Sequence, residues 1–151
     1  MGNEILKNRR IDRSVIPLIA VRKQLERIVK DGNLKAAVLA TGDGLTLVAP
    51  VNDDQSEAIS ALAGYLNRAK SLIEKNLLYT PATDITFTGQ DGTIFHCRYL
   101  ELFDELVTLA VVTTGAAPSE KILSRAMRGI MRIMRKHDHF PLGTADDAGG
   151  A

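Results

Sequence analysis

Cysteine occurs once in this chain, at Cys97, so no disulfide can close within it and a reducing compartment is expected. Charge of one sign is also lacking: the formal net charge is +1, and no global field steers the chain toward nucleic acid or an acidic membrane. Any such contact must come from a local patch. No apolar run approaches the length that spans a bilayer, and the opening MGNEILKNRRIDR has no apolar core of the kind a signal peptide needs. Leu6 stands where a myristoylation motif starting at Gly2 requires Ser or Thr. These absences lead to a cytoplasmic location as the expectation, with no stable membrane insertion.

Catalytic motifs are missing as well. There is no GxxxxGK[ST] loop for phosphates. Gly42-Asp43-Gly44 begins like a dinucleotide fingerprint, but the third glycine is absent and a strand follows it, so it reads as a hairpin turn. His96 and Cys97 are neighbours on one strand and point to opposite faces, which keeps them from acting as a nucleophile and base. His137 and His139 flank Asp138 as two metal ligands without a third. No catalytic residue, metal or cofactor is therefore assigned, and enzymatic activity is not expected.

What the sequence does contain is a pattern of elements. With 151 residues, 45% of them apolar and 25% charged, it has the makings of one soluble domain with a proper core. Residues 1–13 are polar and basic and read as a flexible arm. Residues 14–136 form the domain, and residues 137–151 lack periodicity and read as a disordered tail. Ser14 is placed to cap a helix with Pro17 in its first turn, and Asp31-Gly32 stops it. Leu34–Thr41 is apolar on both faces, as a covered central strand is. Its return strand, Leu45–Val51, carries Pro50 and belongs at an edge. Asp54 and Glu57 are spaced as a capping box for a helix over Ser56–Asn76, with Ile59, Leu62, Leu66 and Ile73 as its core stripe.

Ile85–Gly89 alternates and reads as the other edge, Thr93–Leu100 follows, and Leu106–Thr114 is again apolar on both faces. A last helix over Ser119–Lys136 has Pro118 at its first position and turns Ile122, Ala126, Ile130 and Ile133, with Met127 and Met134, to the sheet. The fold class is α+β, in the order α-β-β-α-β-β-β-α. The two doubly apolar strands should be central neighbours, which gives a five-stranded antiparallel sheet of order 2-1-5-4-3 between one helix and two.

Two surfaces stand out. Arg125, Arg128, Arg132 and Arg135 form a basic stripe on the last helix. A solvated polar face is the ordinary explanation. The functional one is contact with an anionic partner, a lipid head group or a nucleic acid, although no aromatic residues interleave the arginines for base stacking. On the second helix, Ala61, Gly64, Tyr65, Arg68 and Leu72 should point away from the core stripe. Glycine within a helix costs about 1 kcal/mol relative to alanine, so Gly64 asks for a reason, such as the close approach of another helix.

LKAAVLATGDGLTLVAP, SEAISALAGYLNRAKSLIEKNL, ITFTGQDGTIFHCRYL and LVTLAVVTTGAAPSEKILSRAMRGIMRI, in that order, resemble the roadblock/dynein light chain domain over about residues 15–135. The resemblance implies a homodimer, with second helices side by side and third strands (Ile85, Thr86, Phe87, Thr88) paired edge to edge into a ten-stranded sheet. It also implies a noncatalytic regulator or adaptor of a small Ras-like GTPase, like the MglB proteins. Glu57, Ser60, Ala61, Gly64, Tyr65, Arg68 and Leu72 would form the platform. Ala117-Pro118-Ser119 departs from the Leu-Gly pair that many relatives carry before the last helix. A competing expectation is a small-ligand sensor of the PAS or GAF kind, which needs a polar-lined cavity between sheet and helices. A third is an anionic-surface binder using the arginine stripe. Nucleic acid is not expected as a partner.

Overall fold

The computed structural model describes residues 2–77, 80–102 and 104–136, with side chains from residue 17 onward. Its elements are α1 (Gly2–Asp31), β1 (Ala36–Thr41), β2 (Thr46–Val48), α2 (Asp54–Leu77), β3 (Asp84–Thr88), β4 (Thr93–Leu102), β5 (Glu105–Thr114) and α3 (Glu120–Arg135). The strands form one antiparallel sheet in the order β2-β1-β5-β4-β3, as the burial pattern of the sequence requires. The expected tail, with His137 and His139, lies outside the described residues.

Helix α1 departs from expectation at its start. Its backbone is helical from Gly2, so the segment read as a flexible arm continues the helix, and Ser14 and Pro17 lie inside it rather than at its first turn. Between Gly2 and Pro17 the sequence has no glycine or proline to interrupt helix propagating from the packed part. At the other end, Leu34 N–H bonds Val29 C=O at 2.9 Å and Asn33 N–H bonds Lys30 C=O at 3.3 Å. This is the paired closure of a left-handed cap, and the left-handed residue is Asn33 (φ 50°) rather than Gly32.

The sheet has two cores. Leu39, Leu109, Val107 and Val111 face α1 and α3, meeting Val21, Leu25, Leu123, Ala126, Ile130 and Met134. Val38, Ala40, Ala110 and Cys97 face α2, meeting Ile59 and Ala63. Alternation along β1 and β5 thus sends successive residues into opposite cores, which is why both strands are apolar throughout. In α3, Leu123 is fully buried while Ile122 and Ile133 only pack at the margin, so the buried stripe lies slightly round from the expected one. Pro118 precedes Ser119, the residue before the first turn, and so sits outside the helix rather than at its first position.

Candidate functional site

Asp53, not Asp54, caps α2: its Oδ1 accepts the Ser56 amide at 2.8 Å. The helix then lies over the β2-β1-β5 half of its sheet face and leaves the β4-β3 half largely uncovered. Two of the residues expected in its core stripe are consequently exposed, Leu62 at 51% and Ile73 at 40%; only Ile59 is buried, and Leu66 is half-buried. The reason is that the helix contacts the sheet along a narrow line through Ser56, Ile59, Ser60, Ala63 and Lys70. A wider apolar stripe overhangs the uncovered strands.

The expected platform residues divide. Glu57, Ala61, Tyr65, Arg68 and Leu72 are exposed. Arg68 places its guanidinium 5.8 Å from the centroid of the Tyr65 ring, a cation–π approach. Ser60 and Gly64 are buried, contrary to expectation. Ser60 Oγ donates to Ser56 C=O at 3.0 Å and lies 2.7 Å from Thr46 Oγ1. Gly64 lies against the β1–β2 turn, where a Cβ would stand 2.7 Å from Gly44 Cα. Close approach is indeed why position 64 is glycine, but the neighbour is this chain's own hairpin. Ala61, Gly64, Tyr65 and Arg68 meet Asp43 and Gly44 around a shallow cleft of about 180 Å³. Asn67 closes the same junction by donating to Gly42 C=O at 3.1 Å.

At the far edge, Gly89 N–H bonds Thr93 C=O and Tyr99 N–H bonds Thr83 C=O. By antiparallel alternation, the backbone groups of Asp84, Thr86 and Thr88 therefore face the open side of β3. Phe87 is 55% exposed and Ile85 half-buried on the α2 face, while Thr86 and Thr88 lie exposed on the other.

A polar network that sequence reasoning missed lies on that opposite face. Asp84 Oδ2 is 2.7 Å from both His96 Nε2 and Arg98 Nε, Thr86 Oγ1 is 2.7 Å from His96 Nδ1, and Arg98 Nη1 donates to Glu120 Oε1 at 2.9 Å. Burial alone would raise the Asp84 carboxyl, but bonds from Arg98, Thr83 and His96 outweigh it and hold it below its ordinary value. The signal was available in the alternation of β4, which turns His96 and Arg98 to one face and Cys97 to the other. The Cys97 thiol is pushed up to about 12 by burial. Under α2, Lys70 is held at 2.8 Å by Glu74 and sits 5.1 Å from the Tyr99 ring centroid. Among the described residues no three His, Cys, Asp or Glu side chains come together to hold a metal.

The four stripe arginines of α3 are all exposed, and none forms a salt bridge among the described residues. Arg128, Arg132 and Arg135 rim a cavity of about 420 Å³ with Met131 and Lys136. Among the described residues, no helix is long and apolar enough to cross a membrane.

No protein-family model and no curated protein matches the sequence. Solved structures do resemble the fold. An MglB with a tetrameric arrangement superposes with a TM-score of 0.66 at 16% identity, over 80% of this chain and 92% of that one. MglB of Myxococcus xanthus gives 0.66 at 13% identity, over 81% and 92%. A roadblock/LC7 domain from Streptomyces avermitilis gives 0.56 at 18% identity, over 75% and 92%. This chain has the roadblock/LC7 fold.

Proposed function

We infer that two copies of this chain pair through α2 and β3, and that the dimer is a noncatalytic regulator or adaptor binding a small Ras-like GTPase on its paired α2 helices. The observation that carries the reading is the half-covered sheet face. Leu62, Leu66 and Ile73 overhang it from α2, and Phe87 and Ile85 lie on it at an open edge. A contiguous apolar surface beside an unpaired strand is what a second copy would bury. A two-fold axis perpendicular to the sheet at β3 would join the strands into one sheet and bring the two overhanging flanks together.

Tyr65, Leu72, Ala61 and Arg68 point elsewhere on α2 and would remain available on the dimer's outer surface. Tyrosine and arginine are residue types that anchor interfaces, and the resemblance to GTPase regulators supplies the partner class. The test is binding of the GTPase that copurifies with the tagged chain, measured on variants that keep the wild-type oligomeric mass. Arg68→Ala is expected to weaken it by about 1–3 kcal/mol, and Arg132→Ala by less than about 0.5 kcal/mol. If Arg132 is the costlier loss, the partner docks on α3 instead.

A further inference from the structure

The net charge of +1 conceals a strong concentration of positive charge in two helices. From Pro17 to Asp31 on α1 and from Glu120 to Lys136 on α3 there are ten Lys and Arg against three Asp and Glu. All ten cations are exposed. One of the three carboxylates, Glu120, is already engaged by Arg98. Everything between, residues 32–119, carries five Lys and Arg against ten Asp and Glu. Because α1 and α3 pack together on one face of the sheet, the cationic excess is gathered on that face. On the other face α2 is balanced, with Asp54, Glu57 and Glu74 against Arg68, Lys70 and Lys75.

We propose that the α1–α3 layer is a peripheral docking surface for an anionic lipid bilayer, holding the chain with α2 turned away from the membrane. Two helices lying side by side on a sheet offer a broad cationic layer, and a bilayer rich in acidic head groups is its complement. No exposed aromatic residue lies on either helix among the described side chains to stack bases. The cavity at Arg128, Arg132 and Arg135 has the partly buried Met131 in its lining, and Ile19 on α1 is 42% exposed. Cations around a shallow apolar spot fit a phosphate head group and the start of its glycerol and acyl chains. No comparable cationic excess lies on α2, so attraction to the α1–α3 layer also sets orientation. Each copy carries this layer whether or not it dimerises or binds a GTPase.

Flotation of the full chain with vesicles tests this. The chain should float with phosphatidylcholine vesicles containing one-third phosphatidylglycerol and stay behind with pure phosphatidylcholine. Arg128→Glu with Arg132→Glu should lose more than about tenfold in binding, since each basic side chain near such a surface is worth about fivefold. Arg22→Glu with Arg27→Glu on α1 supplies the same test if the α3 variant fails to fold by circular dichroism. Lys75→Glu, one charge reversal on α2, should bind as the parent does. Failure of the parent to float at low salt would overturn the proposal. So would equal binding by the charge-reversed variants, or duplex DNA displacing the chain from vesicles at equal phosphate concentration, which would assign the layer to nucleic acid.

Discussion

Gly64 shows how one position can be constrained from a direction the helical pattern does not reveal. Alanine there would raise helix propensity by up to about 1 kcal/mol. Its Cβ, however, would meet the Gly44 backbone at 2.7 Å, and backbone cannot rotate out of the way. Gly64→Ala is therefore expected to destabilise the chain by about 1–3 kcal/mol, the usual cost of overpacking, as read by urea unfolding. An unchanged or raised midpoint would mean that the hairpin yields. Cys97 is constrained by burial alone. With its thiol pushed up to about 12, almost no thiolate exists at neutral pH. A thiol reagent should label it only at the rate of unfolding, and fast labelling of the folded chain would contradict its placement in the core.

Among the elements, the β4 network joins the open edge to α3: Asp84 on β3 and Glu120 on α3 both hold Arg98. The Asp84 carboxyl is held low in the folded chain, so between its folded and unfolded values the unfolded chain binds the extra proton. Its contribution is thus complete above the ordinary aspartate range, near pH 4, and is lost as the pH falls through the lower folded value. Asp84→Asn should flatten the acid limb of a melting-temperature profile below about pH 4, and an acid limb as steep as the parent's would assign the loss to other carboxylates.

The elements themselves were largely legible beforehand. Doubly apolar β1 and β5 declared themselves central, and the Ile85–Thr88 alternation marked one edge. The other edge is β2, but it stops at Val48, so Pro50, expected within that strand, lies beyond it. The side of α2 was not legible. A helix that is apolar over most of its circumference has several candidate stripes, and only its placement over half the sheet decides that Leu62 and Ile73 overhang while Ser60 and Gly64 are covered. The start of α1 escaped for a different reason: polar, basic residues with good helix propensity carry no periodic apolar signal.

At the scale of the whole molecule, a second copy is expected to complete the sheet and cover the overhang of α2. Sedimentation or light scattering at micromolar concentration measures this most directly, on the parent and on Leu62→Arg with Ile73→Arg. Both positions are exposed enough in the single chain, at 51% and 40%, for the double variant to fold alone. The parent should have twice the 16.4 kDa chain mass and the variant 16.4 kDa, with the same circular dichroism for both. A parent of 16.4 kDa, or a variant that remains dimeric, would contradict this pairing.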